Sequence, residues 1–291
     1  MLALPSLREK SMPSPPSTRM PQQRGVAYTL YLTRVVRAQA AMLCPWLDPQ
    51  DQRARDMLAR SGQTAMAPPC DAATAINILW RTHKIRTLGL GFFERYAEVQ
   101  GVNLGAGLAD YFQWLDTGCN CWLDVDLPEV VDLRGQLMPD TVERYELRPE
   151  DLRVPGWWKR LNLHPRNHHS PMLLIAEGVL MYMQPAEVRA FFQEIATHAP
   201  EGTELLCDFI SPLGIGQATP ANRQPGETLK FTWGAHNGQE IASFHARLEL
   251  LNQPSVAEAW GWWGSWLESL YTPMTGGPMY GLAHLTVSED L

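Results

Sequence analysis

Residues 102–134 read VNLGAGLADYFQWLDTGCNCWLDVDLPEVVDLR. A short apolar segment leads into a turn at Gly105 and Gly107, where the absence of a side chain lets the backbone approach a ligand closely. A helix-length stretch then precedes a second apolar segment that ends in the acids Asp124 and Asp126. This order predicts a doubly wound α/β domain that holds an adenosine nucleoside at the ends of its strands.

The two acids favour a ribose as the ligand group. Asp124 and Asp126 are two residues apart on the predicted strand, so their side chains share one face, and a carboxylate at the strand end can accept both hydrogen bonds of a ribose diol. The alternative is that they are ordinary surface acids. A dinucleotide fold normally has a third glycine where this chain has Asp110, which disfavours an NAD oxidoreductase.

Composition excludes several classes of protein. The chain has 291 residues, 45% hydrophobic and 19% charged, enough for one large α/β domain with a cap or for two small domains. A net charge of −7 without a basic stripe argues against a nucleic-acid partner. The five cysteines are odd in number and scattered, which predicts a reducing, cytoplasmic location. Neither Cys119-x-Cys121 nor the loop LHPRNHHS has a metal-site spacing, so we expect no metal.

The order of helix and strand signals suggests three regions. We expect a flexible leader over residues 1–25, without a signal peptide or membrane span, then an N-terminal helical cap over 26–100, and a nucleoside-binding core with substrate-covering insertions over 101–291. We expect helices at 26–47, 50–60, 72–82 (with Asp71 as N-cap) and 185–199. Strands are expected near 102–105, 121–125, 142–146, 172–176 and 204–209, with a closing hairpin from 240–250 and 281–287. The stretch 212–226 is expected to be a mobile loop.

Two further acids follow apolar segments. Glu177 ends the strand within Leu173–Met183, and a carboxylate in so apolar a setting needs a partner. That partner is either a ligand ammonium or hydroxyl, or a basic side chain of the protein. Asp151 follows the predicted third strand, where it could accept a hydrogen bond from an adenine amino group.

Tryptophans are concentrated toward the C-terminal half, with Trp260, Trp262, Trp263 and Trp266 close together. Their flat rings could line a pocket for a planar acceptor. Since Trp262 and Trp266 are four residues apart on a probable helix face, core packing is the favoured interpretation.

Five motifs in order resemble the leucine carboxyl methyltransferase family, and more narrowly its bacterial polyketide-type O-methyltransferases. The motifs are RT (81–82), VNLGAGL (102–108), LDVDLPEV (123–130), EDLR (150–153) and IAEGVLMYM (175–183). The resemblance covers roughly residues 25–291. It implies the class I S-adenosylmethionine (SAM) methyltransferase fold, a Rossmann-like, mostly parallel seven-stranded sheet with helices on both faces and an N-terminal helical cap.

The resemblance also implies the cofactor, SAM, which leaves as S-adenosylhomocysteine, and the residues that hold it. The implied cofactor residues are Arg81 for the SAM carboxylate, Gly105 and Gly107 for the methionine moiety, Asp126 with the adjoining Asp124 for the ribose, Asp151 and Leu152 for the adenine, and Glu177 for the amino group. The family usually follows GAGL with Asp-Thr-Arg, whereas this chain has Ala109-Asp110-Tyr111.

The function implied is SAM-dependent methyl transfer to a hydroxyl or carboxyl oxygen of a small metabolite, for which an aromatic, polyketide-like compound is one candidate. The alternative is a non-catalytic SAM- or nucleoside-binding relative that serves as an interaction module. A carboxylate acceptor needs no base, whereas a phenol would be helped by one. The candidate catalytic residues are Tyr182, His236 and His245, each of which could instead be a packed polar side chain.

Overall fold

The computed structural model describes residues 26–60, 70–138, 142–217 and 229–289. The expected leader at 1–25 and most of the expected mobile loop at 212–226 lie outside the described residues.

A seven-stranded sheet forms the centre of the structure, with the strand order β3-β2-β1-β4-β5-β7-β6. Its strands are β1 (Gln100–Leu104), β2 (Cys121–Asp126), β3 (Tyr145–Pro149), β4 (Met172–Ala176), β5 (Glu204–Ile210), β6 (Leu248–Asn252) and β7 (Tyr280–Val287). Neighbouring strands are parallel except that β7 runs antiparallel to both β5 and β6. This confirms the predicted mostly parallel sheet.

The central strands are apolar because helices cover both faces of the sheet. Every residue of β4 and β5 is buried, which is typical of parallel strands enclosed on two sides. Leu174 packs into the cluster beside helix Pro185–His198, whereas its neighbours Leu173 and Ile175 pack into the cluster beside the N-terminal helices. Alternate side chains of one strand therefore enter two separate cores.

The helices of the described residues are α1 (Val26–Ala38), α2 (Ala40–Leu43), α3 (Gln52–Arg60), α4 (Ala72–Arg95), α5 (Phe112–Leu115), α6 (Pro128–Leu137), α7 (Trp157–Arg160), α8 (Pro185–His198), α9 (Gly238–Ala242) and α10 (Gly261–Thr275). Asp71 caps α4 as predicted, since its Oδ1 accepts from the Thr74 N–H at 2.8 Å. None of these helices combines the length and apolar character that a membrane span requires.

Several sequence-based boundaries were wrong, among them the third strand, predicted near 142–146 and observed at Tyr145–Pro149. The first helix, predicted from 26 to about 47 with Pro45 as its end, does end before Pro45, which has no N–H to continue it, but it is interrupted after Ala38. The third predicted helix extends thirteen residues beyond Thr82, to Arg95. The expected closing hairpin does pair two antiparallel strands, but α10 lies between them, and residues 240–242 belong to α9.

The sheet topology places the binding edge. β1 pairs with β2 on one side and with β4 on the other, so the chain crosses over at β1 and leaves a crevice beyond the carboxyl ends of these strands. In open α/β sheets, ligands bind at this crossover. The N-terminal helices α1 and α4 pack near the same edge.

Candidate active site

The glycine turn after β1 is tied to the end of β2. Gly105 and Gly107 have φ values of 75° and 53°, a conformation that favours glycine. The Gly105 N–H donates to the Val125 carbonyl at 2.8 Å, and the Gly107 N–H donates to Asp126 Oδ2 at 2.7 Å. A Cβ at Gly105 would lie 2.4 Å from Cγ2 of Val179, so a side chain does not fit there.

A first cavity of about 260 Å³ opens beside this turn. It lies beyond the carboxyl ends of β1 to β4 and is lined by Thr29, Leu30, Gly105, Asp126, Leu127, Glu150, Asp151, Leu152, Arg153, Gly178, Val179, Tyr182, Met183 and Leu229. Four of the predicted cofactor residues, from three separate motifs, thus share one cavity wall: Gly105, Asp126, Asp151 and Leu152.

Asp126 and Asp124 lie two residues apart on β2, but their surroundings differ. Asp126 faces the first cavity, with one oxygen accepting from Gly107 and the other from the Leu127 N–H at 2.7 Å. Burial raises its pKa, while these backbone donors act in the opposite direction. Asp124 is fully buried and ion-paired with Arg134.

The surroundings of Asp124 correct its predicted role beside the ribose. Its carboxylate also accepts from the Tyr145 hydroxyl at 2.7 Å and from the Trp122 indole N–H at 2.8 Å. Arg134 in turn donates to the carbonyls of Gly107 and Ala109. Asp124 therefore anchors the helix α6 and the glycine turn from within the core, and it does not line the first cavity.

Asp151 lines the first cavity as a paired carboxylate. Its oxygens accept from Arg153 Nε at 2.8 Å and Nη2 at 2.7 Å, and these bonds hold the pKa of Asp151 below its usual range. Leu152, which is 8% exposed, supplies an apolar surface next to it. A flat ring placed here would meet an aliphatic side chain and an acceptor together.

Arg81 and Glu177 meet at the end of β4 in a buried ionic network. Arg81 Nε donates to Glu177 Oε1 at 2.6 Å, and Nη1 donates to Asp208 Oδ2 at 3.1 Å and to the Tyr280 hydroxyl at 2.9 Å. Glu177 Oε2 accepts from the Tyr111 hydroxyl at 2.7 Å. Burial would raise the pKa of Glu177, but the guanidiniums of Arg81 and Arg37 and the hydrogen bonds from Tyr111 and Arg81 together lower it, so the carboxyl stays ionised. The sequence-based alternative of an internal salt bridge is thus present.

A second cavity of about 390 Å³ adjoins the network. Its lining residues are Thr29, Leu32, Thr33, Thr74, Asn77, Ile78, Arg81, Met181, Tyr182, Ile210, Gly214, Gln217, Phe231, Val256, Met279 and Tyr280. Thr29 and Tyr182 line both cavities, so the two spaces meet at these side chains. The wall is mainly apolar and aromatic, as small-molecule sites usually are.

Of the three candidate catalytic residues, only Tyr182 lies at the cavities. His236 is exposed and its Nδ1 lies 2.8 Å from the Thr275 carbonyl, while Nδ1 of His245 accepts from the Arg247 N–H at 3.1 Å. Neither histidine is among the described residues that line either cavity. The geometry therefore gives no support to their predicted roles, which rested on residue type alone.

Three residues that bind the Arg81–Glu177 pair were not predicted from the sequence: Asp208, Tyr111 and Tyr280. Asp208 is fully buried, accepts from the Gly178 N–H at 2.6 Å and is hydrogen-bonded to Tyr280. The signal for Asp208 was available, since it stands near the end of the apolar strand ELLCDFI just as Glu177 follows β4. Tyr111 and Tyr280 carried no such signal, because a buried tyrosine is common in any core.

Comparison with known proteins gives one family and one fold. A model of the leucine carboxyl methyltransferase family matches residues 17–196. The tetracenomycin polyketide synthesis O-methyltransferase TcmP of Streptomyces glaucescens is 29% identical over 146 residues, which are 47% of this chain and 51% of that protein. The chain thus matches about half the length of this curated relative.

Among solved structures, a protein of Thermobifida fusca YX assigned as a methyltransferase superposes with a TM-score of 0.50 at 16% identity, covering 92% of this chain and 100% of the other. At that identity the likeness shows the fold alone, the class I methyltransferase fold. The family match contains the glycine turn, Asp126, Asp151 and Glu177. With more than half of its residues matched and with this fold, the chain belongs to the leucine carboxyl methyltransferase family.

Proposed function

We propose that this protein is a SAM-dependent O-methyltransferase that acts on a small acceptor in the second cavity. The observation that carries the proposal is the pair of cavities that meet at Tyr182, one walled by the strand-end acids and the other mainly by apolar groups. Holding two reactants in adjoining spaces supplies much of what a group-transfer enzyme must provide. The helices of residues 26–100 would act as the cap, since α1 and α4 contribute walls to the second cavity.

The first cavity fits the adenosine part of SAM. Asp126 would accept from the ribose hydroxyls with the lone pairs that its two backbone donors leave free, and Asp151 with Leu152 would hold the adenine. The turn at Gly105 and Gly107 would receive the methionine moiety along its backbone, because Gly105 lines the first cavity without a side chain of its own. The lining carries three acids, Asp126, Glu150 and Asp151, against one cation, Arg153, and this excess of negative charge suits a cationic ligand.

The Arg81 network fits the amino-acid end of SAM. Arg81 Nη2 has no acceptor among the described residues, while the other two nitrogens are fixed by Glu177 and Asp208. We propose that Nη2 receives the SAM carboxylate and that Glu177 accepts from the SAM ammonium. Bound SAM would supply an electrophilic sulfonium methyl for in-line attack. The protein would orient both partners for this attack.

The lining of the second cavity favours an acceptor that is already an anion. Arg81 is the one charged residue among the described lining residues, and none of these is a histidine or carboxylate that could serve as a base. Burial raises the pKa of Tyr182 to about 12, with Arg81 acting in the opposite direction, so its hydroxyl is protonated near neutral pH. Tyr182 can donate a hydrogen bond to an acceptor oxygenate, but it is a poor proton acceptor.

A carboxylate, or a phenol or enol acidic enough to ionise near neutral pH, therefore fits best. The rings of Tyr182, Phe231 and Tyr280 offer surfaces for a planar molecule. TcmP is named for polyketide synthesis, and a polyketide-like aromatic acceptor is accordingly our first candidate. A cytoplasmic location, supported by the odd and scattered cysteines, completes the proposal.

The test is methyl-labelled SAM with a panel of aromatic carboxylates and of phenols that differ in pKa. We expect kcat/KM to rise with pH along the ionisation of each acceptor, and Tyr182→Phe to lower the rate without moving that profile. A profile that moves with the variant would contradict the role of Tyr182 as a hydrogen-bond donor. Absence of SAM binding in calorimetry would overturn the whole proposal.

The non-catalytic alternative rests on the departure at Ala109 to Tyr111. The Tyr111 hydroxyl occupies one oxygen of Glu177, the group proposed for the SAM ammonium. Because a carboxylate oxygen has a second lone pair, this bond leaves an acceptor position free. SAM binding without methyl transfer to any member of the panel would favour the alternative.

A further inference from the structure

The helix α10 has two faces, only one of which packs against the part of the chain that the structure describes. Gly264 is its one buried residue, and a Cβ there would lie 2.1 Å from the Ala257 carbonyl oxygen, so the helix approaches the preceding segment closely at this point. Glu268 and Thr272 continue this side at helical spacing, and both are partly buried. The packed face is thus a narrow stripe.

The opposite face is apolar and exposed. At about 100° per residue, six large side chains fall within an arc of roughly 140° that excludes the packed stripe. They are Trp262, Trp263, Trp266, Leu267, Leu270 and Met274. Trp262 is 77% exposed and Met274 is 87% exposed. Neither predicted role of the tryptophans holds, because these rings are outside the core and do not line the two cavities.

The exposed rings form one continuous surface. Trp263 and Trp266 are stacked with centroids 4.8 Å apart, and Trp262 meets Trp263 edge-on at 5.5 Å. With side-chain areas of about 200–250 Å², the exposed fractions of the six residues give roughly 800 Å² of apolar surface. That exceeds the patch of a typical monomer and matches what one partner contributes to a stable protein–protein interface.

We propose that this exposed apolar face of α10 is the contact surface of a homodimer, in which α10 of one protomer packs on α10 of the second. Glu268 is the one charged residue of the helix, and it is hydrogen-bonded to Ser255. From Leu248 to Leu291 the chain has no Lys or Arg. This surface has no charges to pair with a charged partner and no basic residues to bind an anionic membrane. A second copy of the chain, in contrast, offers an equally apolar face of the same length. Such a contact is isologous and closes on itself.

The test is sedimentation equilibrium of the full chain across a concentration series. We expect a monomer–dimer equilibrium, and we expect Leu270→Glu to weaken it by about 30-fold or more, the effect of losing a central interface side chain. Trp46→Glu is the matched control, because Trp46 is 64% exposed but lies in the 3-10 helix Pro45–Leu47. Equal melting temperatures of the two variants at a concentration where the unmodified chain is monomeric would show that the fold is kept.

Site-directed cross-linking gives a second, independent readout. In a Cys119→Ser, Cys121→Ser background, Leu270→Cys on the apolar face should form a covalent dimer with a short cross-linker, and Ser265→Cys on the exposed polar edge should not. A chain that is monomeric at every concentration, a dimer unaffected by Leu270→Glu, or a monomer that binds zwitterionic lipid vesicles through α10 would each overturn the proposal.

Discussion

Replacing Asp126 with alanine tests the cofactor assignment most directly. Asp126 lines the first cavity, and its two oxygens already accept from the N–H groups of Gly107 and Leu127 at 2.7 Å each. A carboxylate offers about four acceptor positions, so two remain for a ribose diol. The change to alanine removes both proposed ligand bonds and the backbone tie to the glycine turn.

The expected loss follows from the kind of bond. A hydrogen bond to a charged group contributes about 1.5–3 kcal/mol, and two of them would give about 3–6 kcal/mol in a dry site. Because Asp126 is only partly buried, water replaces some of that loss, and about 2–4 kcal/mol is the realistic range. The Kd for SAM should therefore rise by roughly 30-fold to 1,000-fold.

Titration calorimetry with SAM and with S-adenosylhomocysteine measures this change. Asp132→Ala is the control, since Asp132 is exposed on the following helix and should leave the Kd within about twofold. Asp126→Asn keeps an acceptor for the Gly107 N–H but loses the charge, so its effect should be intermediate, which separates ligand binding from collapse of the turn. A loss below threefold in Asp126→Ala, or equal losses in Asp126→Ala and Asp132→Ala, would refute the ribose assignment.

Two further predictions concern stability. Gly105→Ala should lower the free energy of unfolding by about 2–4 kcal/mol in denaturant titrations, because its Cβ would meet Val179 at 2.4 Å and its φ of 75° is unfavourable for alanine. The control is Gly91→Ala, which has open space around it and should be neutral or stabilising. Equal effects of the two substitutions would contradict the steric argument. Burial raises the pKa of Asp110 from 3.8 to about 6, although two nearby guanidiniums act to lower it. The stability that its protonated form contributes is present below pH 3.8 and lost as the pH rises through about 6. Asp110→Asn should therefore flatten the dependence of Tm on pH over that window, and an unchanged slope would contradict this prediction.

The features that could be predicted from the sequence are those fixed by local order. The alternation of strands and helices, with a glycine turn after β1, determines a parallel sheet. Parallel strands then bring their carboxyl ends to one edge, which is why Gly105, Asp126 and Asp151 share a cavity although they are far apart in the chain. The shared position of these residues therefore follows from the order of strands along the chain, without reference to tertiary contacts.

Other features depend on which helix packs where. Asp124 and Asp126 are the same residue type on the same face of β2, and they differ because Arg134, in the last turn of the next helix, reaches Asp124 in the core. Helical spacing of the tryptophans in α10 was readable, but an apolar stripe does not reveal whether it faces the core or the outside. Residue type alone likewise could not show that His236 and His245 lie away from the described lining of both cavities.

Arg81 connects the portion of the chain that the family model matches with the portion that follows it. The family match ends at residue 196, whereas the side chains that fix one end of Arg81, Asp208 and Tyr280, lie beyond it. The later portion also supplies much of the wall of the second cavity, including Phe231 and Met279. On the proposed function, variation there would reshape the acceptor space and leave the lining of the first cavity intact. Relatives could then differ in their acceptors while the first cavity stays recognisable.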